Sequence, residues 1–203
     1  MKKILSIVAV VVALSSYAAE KSDSGKDEML KIGGEGKVSI VNACNAPASP
    51  LQMAARKIGN MLMIHCDVIF GTWKFSDAKN VFAATKANAA VFVVEDESLP
   101  LSLIAMESKW GVVNAKELGE KALEKEILRV ATIVLGGGSS KYPASTMRPV
   151  FSREDLETKA GQVITFDSLM SIYSYIPALG LKQFQMMTRE DAEAEGLVKK
   201  ESK

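Results

Sequence analysis

Residues 118–147 read LGEKALEKEILRVATIVLGGGSSKYPASTM, and the fold turns on how that stretch is parsed. Charged residues and leucines alternate at helical spacing as far as Arg129. From Val130 to Leu135 the chain is apolar on every side, and it then stops at Gly136-Gly137-Gly138. A helix with this profile starts at the surface and ends inside a domain, with glycine supplying the left-handed residue that closes its C-terminus. The loop behind it is built of small residues and carries one residue of the buried type, Met147.

Working back from the helix, short apolar segments alternate with helical ones. Lys37 to Cys44 reads as a mostly buried strand through Val38, Ile40, Val41 and Ala43. Ser49-Pro50-Leu51-Gln52 combines a serine N-cap, a proline at the first helical position and a glutamine three residues after the cap, so a helix is expected to start at Ser49. Ala54, Ile58, Met61, Leu62 and His65 share its apolar face. Asp67 to Thr72 is a second strand, residues 76–87 are helical around Ala78, Val81 and Phe82, and Ala89 to Val94 is a continuous β-branched strand. Leu101 to Ile104 and Gly111 to Asn114 supply two shorter strands. This order predicts a single α/β domain over 37–198 with a mixed, mostly parallel sheet and long helices packed on it.

Beyond the helix the chain is punctuated by caps. Ser152 to Asp155 begins a short turn, and Thr165-Phe166-Asp167-Ser168 opens a helix whose apolar face is Leu169, Ile172, Tyr173 and Ile176. Pro177 bends that helix near its end and Gly180 stops it. Phe184, Met186 and Met187 lay an extended piece on the core, Thr188 to Glu195 is a capped acidic helix, and 199–203 is a mobile lysine-rich tail.

The N-terminus has the layout of a secretory signal peptide over 1–18: basic Lys2-Lys3, an apolar run from Ile4 to Leu14, and small residues ending at Ala18. The run is shorter than the roughly 20 residues of a membrane span. A bacterial exported protein, periplasmic or secreted, is therefore expected, with no membrane span once the leader is removed. Residues 19–36 are polar and glycine-rich and are read as a flexible lead-in. With 25 basic and 24 acidic residues the charge nearly balances, and no basic stripe interleaves with aromatics, so nucleic acid is excluded as a partner class.

Reactive groups are few. Cys44 and Cys66 would sit at opposite ends of neighbouring parallel strands, separated by about 17–20 Å of strand; a disulfide needs Cα atoms within about 7 Å, so free thiols are expected. His65 is the only histidine, and with Cys44 and Cys66 it offers three ligands at most, without the paired spacing of a structural zinc site. Glu95-Asp96-Glu97 reads as solvated charge. The glycines of GGGSSK follow a helix, whereas a phosphate loop follows a strand. Ser139, Ser140 and Ser145 have no histidine base, and Trp73 and Trp110 read as core.

The spacing of the central stretch resembles that of the archaemetzincins, zinc metallopeptidases of the metzincin group. Their helix carries His-Glu-x-x-His-x-x-Gly, a third histidine after two more residues with a cysteine immediately behind it, a second cysteine after four intervening residues, then one residue and a methionine, and later a closing Cys-x-x-Cys. With the family glycine on Gly136, the methionine falls on Met147 without a gap. The resemblance then implies that Arg129, Ile133 and Ser139 stand where the histidines of the catalytic zinc would be, and Val130 where the glutamate base would be. Ser140, Ser145, Thr165 and Ser168 stand at the four cysteines of the structural zinc. An ordinary buried helix with a glycine stop explains Val130–Leu135 and Gly136, but not the placement of Met147 and Thr165–Ser168.

A guanidinium, two hydrocarbon side chains and a serine hydroxyl make no zinc site, and none of them is a carboxylate base. What the resemblance implies is a metzincin-like scaffold with no metal and no cofactor, a non-catalytic protein that binds a peptide or protein in the former substrate groove along an edge strand. Its closing loop would be held by hydrogen bonds among Ser140, Ser145, Thr165 and Ser168 or by packing of Met147, Val150 and Phe151. Two other readings stay open: a hydrolase using carboxylates near Glu95, Asp96 or Glu107, and a structural component of the envelope.

Overall fold

The computed structural model describes residues 29–150, 152–158, 161 and 163–199. The leader expected over 1–18, the first part of the lead-in, Phe151 and the last residues of the tail lie outside the described residues.

Five strands form the central sheet in the order β3-β2-β4-β6-β5: β2 (Val38–Asn42), β3 (Cys66–Phe70), β4 (Ala89–Val94), β5 (Ser102–Ala105) and β6 (Trp110–Asn114). Four run parallel; β5, on one edge, pairs antiparallel with β6 from Ser102 opposite Val113 to Ala105 opposite Trp110. Every residue of β2 and β4 is buried, as strands covered on both faces require. Alternation then sorts the core. Val38, Ile40, Val91, Val93 and Val113 face one side and meet α1 (Ala48–Leu62) and α3 (Glu120–Val134), while Val41, Phe92, Val94 and Val112 face the other and meet α2 (Ala78–Thr85). The mixed, mostly parallel α/β sheet expected from the sequence is the one observed.

The central helix follows its reading closely. Leu123, Ile127, Val130, Ala131 and Val134 are all essentially inaccessible, Leu135 ends the helix, and Gly136 turns the chain at φ +91°. α3 lies so near β6 that a methyl group on Gly111 would strike Val130. The remaining helices are α4 (Arg153–Thr158), α5 (Phe166–Tyr175), running on through a 3-10 turn at Ile176–Leu179 to Gly180 at φ +77°, and α6 (Arg189–Ala194), capped by Thr188.

Two expectations are corrected. α1 begins at Ala48, with Pro47 at the cap and no side-chain cap bond, so Ser49 is inside the helix. The reason is upstream: the Asn42 side chain accepts from Ala46 N at 3.1 Å and donates to Ala46 O at 2.8 Å, fixing where the loop can enter the helix. Residues 29–35, read as flexible lead-in, form strand β1 (Met29–Glu35), paired antiparallel with β7 (Lys182–Thr188) in a separate two-stranded sheet. β1 alternates exposed and half-buried residues, and beside it the Lys31 ammonium sits 4.7 Å from the ring centroid of the buried Phe184 of β7.

Cys66 opens β3 opposite Val38, whereas Cys44 follows the far end of β2, and both are free thiols. The parallel register produces the separation that the sequence argument assumed.

Candidate functional site

α3 passes beneath the antiparallel edge, and a charged residue reaches up from it. Arg129 donates from Nε to Glu126 Oε2 at 2.8 Å and from Nη2 to both Glu126 Oε1 and the Ser102 hydroxyl, the latter at 2.8 Å. The Glu126 side chain is wholly buried and that of Arg129 is 14% exposed. A carboxylate taken out of water this completely persists only when it is paired and hydrogen-bonded, and the two-pronged guanidinium meets that demand. Because Ser102 is the first residue of β5, the same guanidinium ties the helix to the edge strand.

The outer side of that strand carries no described strand partner. Asn114 N donates to Leu101 O at 2.9 Å, which makes Leu101 and Asn114 a bonded pair one step beyond the ladder. Antiparallel alternation then gives the next bonded pairs as Leu103 with Val112 and Ala105 with Trp110, so Ser102 and Ile104 turn their backbone groups outward. Ile104 packs on the core with α3, while Leu103 is exposed on the other face.

The other singled-out positions fall into two groups. Val130 is buried against β6 and Ile133 is half-buried on α3, one helical turn beyond Arg129; among the described residues no side-chain hydrogen bond or ion pair joins Arg129 to Ser139. Ser139 is exposed and lines a cavity of about 220 Å³ together with Ser140, Lys141, Asp167, Ser168 and Ser171. The loop is closed through the backbone of Met147: its carbonyl accepts from Ser140 N at 3.0 Å and its N–H donates to the Ser145 hydroxyl at 3.0 Å. Thr165 and Ser168 exchange a hydroxyl bond at 3.2 Å at the start of α5, and Ser171 donates to Gly136 O at 2.6 Å. Of these four positions, Ser140 and Ser145 bond the Met147 backbone, Thr165 and Ser168 bond each other at the start of α5, and Ser140 and Ser168 both line the cavity. Met147 itself is buried, and beside it Thr146 and Val163 join the loop to the segment before α5, with Thr146 N donating to Val163 O at 2.8 Å.

The donor chemistry does not fit a zinc ion. Arg129 is a permanent cation already engaged by a carboxylate, Val130 and Ile133 have no lone pairs, and a serine hydroxyl is a poor zinc ligand. Nor is there, among the described residues, any group of three or more His, Cys, Asp or Glu placed to hold a metal ion.

The acidic run after β4 is already partly committed. The Asp96 carboxylate accepts from the Ser98 hydroxyl at 2.6 Å and from Ser98 N at 2.8 Å, bonds that hold it below the usual carboxylate range, and Glu97 pairs with Lys116 at 2.6 Å. Glu107 is exposed in a short turn after β5. The Cys44 thiol, facing the same end of the sheet as Glu95, is pushed up by burial, opposed by the Ala46 backbone and reinforced by the Glu95 charge.

Sequence reasoning reached Arg129 but missed Glu126, whose spacing of three residues on one helix was the available signal. It also missed Asn42 and Asn114, buried at the carboxyl ends of β2 and β6. Asn114 donates to Asp96 O at 2.7 Å and Leu99 O at 2.9 Å, as Asn42 does to Ala46 O. A lone asparagine closing an apolar strand is the pattern that marks them.

No protein-family pattern matches this sequence, and no curated protein sequence matches it significantly. Solved structures do resemble it. Archaemetzincin from Methanopyrus kandleri superposes with a TM-score of 0.54 at 11% identity, covering 70% of this chain and 96% of that one. A zinc-dependent peptidase from Methanocorpusculum labreanum gives 0.49 at 11% identity, over 66% of this chain and 99% of that one. An archaemetzincin from Archaeoglobus fulgidus, complexed with malonate, gives 0.49 at 10% identity, over 66% and 99%. With a mostly parallel five-stranded sheet, an antiparallel edge strand and a long helix beneath it, this chain is similar in fold to the Methanopyrus kandleri archaemetzincin.

Proposed function

We propose that this protein is an exported, non-catalytic relative of the metallopeptidases that binds a peptide or protein segment along β5. The observation that carries the reading is Arg129. On a fold similar to that of an archaemetzincin, the position that the sequence resemblance assigns to a zinc-binding histidine holds a guanidinium, and that guanidinium is spent on a structural tie between Glu126 and the edge strand. The strap favours binding over catalysis: it keeps β5 in place while adding neither a Lewis acid nor a base.

The bound segment would add as a further strand, its main chain meeting the outward groups of Ser102 and Ile104. Its alternate side chains would lie toward the α3 side, over Arg129 and Ile133, and toward Leu103 on the other side. Main-chain pairing gives such a site affinity with little sequence restriction.

The test is amide hydrogen exchange on the full chain, with and without a library of extended peptides. Binding partners should slow exchange at Ser102 and Ile104 more than at Leu103, whose N–H already faces β6. Uniform protection across the sheet, or protection confined to another surface, would defeat the reading.

A further inference from the structure

A second candidate site lies at the opposite kind of place in the sheet, where strand order reverses. From β2 the chain goes through α1 to β3 on one side, then crosses by α2 to β4 on the other. In open α/β sheets such a reversal parts the connections at the carboxyl ends of adjacent strands and leaves a crevice suited to ligands. Here a half-open cavity of about 520 Å³ occupies it, lined by Cys44 after β2, by Trp73 and Lys74 after β3, and by Val94, Glu95 and Asp96 ending and following β4.

The frame of this cavity is fixed before any ligand arrives. Asn42 holds the Cys44 loop through its bonds to Ala46, with Asn45 kept at φ +59°. Asn114 holds the loop from Asp96 to Leu99. The Trp73 indole lies over Gly71 so closely that a methyl group there would strike the ring, and its body packs on the core cluster under α2. Preorganised loops and a rigid aromatic wall are what a small-molecule site needs.

The charges on its walls select the ligand. Asp96 is committed to Ser98, but the Glu95 carboxylate and the Lys74 ammonium have no hydrogen bond or ion pair among the described residues. Two carboxylates beside one ammonium disfavour a phosphate, and a purely cationic ligand would leave Lys74 unanswered. We infer that this crevice binds an amino-acid-sized zwitterion, its ammonium toward Glu95, its carboxylate toward Lys74 and its body against Trp73. The inference is independent of the peptide-binding reading, because β5 lies at the sheet edge and contributes nothing to this cavity.

The experiment is calorimetric titration of the full chain with each of the standard L-amino acids. At least one should bind saturably, one per chain. Its amide, which lacks the carboxylate, and its N-acetyl form, which lacks the ammonium, should each bind at least roughly tenfold more weakly, the scale of one charge-assisted hydrogen bond. Glu95→Gln and Lys74→Gln should weaken binding by a similar factor while leaving the urea midpoint unchanged, since both side chains are exposed. Absence of saturable binding across the panel would overturn the inference. So would binding that is equal for the amide and the N-acetyl form, or indifferent to both substitutions.

Discussion

Arg129→Met is the perturbation that bears most directly on how this site is built. Methionine keeps much of the apolar stem and removes the guanidinium, so the buried Glu126 carboxylate loses its 2.8 Å bond from Nε and its contact with Nη2. Because Glu126 has no exposed side-chain surface, water does not replace them. Removing one partner of a buried pair costs about 3–5 kcal/mol, a large share of the roughly 5–15 kcal/mol that holds a domain folded. A second variant separates charge from packing: Glu126→Met together with Arg129→Met leaves neither charge, and should lie within about 1.5 kcal/mol of the parent. Urea unfolding followed by far-ultraviolet circular dichroism gives both numbers, with an unchanged slope showing that the same surface is exposed. The reasoning fails if Arg129→Met costs less than about 1 kcal/mol, or if the double variant is no more stable than the single one.

Other outcomes follow from named contacts. Gly111→Ala drives a methyl group into Val130 where α3 crosses β6, and should cost about 1–3 kcal/mol in the same unfolding assay. Asn42→Ala leaves both backbone groups of the buried Ala46 without their partner and should cost roughly 2–4 kcal/mol. The Asp96 turn should depend on pH: its bonds from Ser98 are fully present above the ordinary carboxylate pKa and are lost as pH falls through the lower folded value. Ser98→Ala should therefore move the Asp96 titration upward, as read by carboxyl NMR. Burial pushes both half-buried thiols up, so at pH 8 iodoacetamide should modify Cys44 and Cys66 in the folded protein more slowly than after denaturation.

How much of this was readable beforehand varied with the range of the interaction. β4 and α3 announce themselves because their residues are chosen by continuous burial, and Gly136 marks the helix end through a backbone angle that only a few residues adopt easily. β1 was missed because its partner, β7, lies at the far end of the chain, and the polar run before it, residues 20–28, together with its own Gly33 and Gly34, hides its alternation. The antiparallel direction of β5 was equally hidden. Leu101 to Ile104 has the composition of the parallel strands, and only the short return through Met106–Ser108 dictates its reversal. At the site, the spacing from Arg129 to Ser168 could be counted, but the use Arg129 makes of Glu126 and Ser102 needed the third dimension. So did the bonds of the four hydroxyl positions, from Ser140 and Ser145 to Met147 and between Thr165 and Ser168.

The account stands or falls on whether an archaemetzincin-like fold is maintained here without its catalytic metal. Elemental analysis of protein purified without chelators, after dialysis against zinc-containing and then metal-free buffer, measures this directly. The account predicts zinc well below one ion per chain, with urea stability the same before and after exposure to a chelator. One zinc per chain that survives dialysis, and whose removal destabilises the fold, would contradict it.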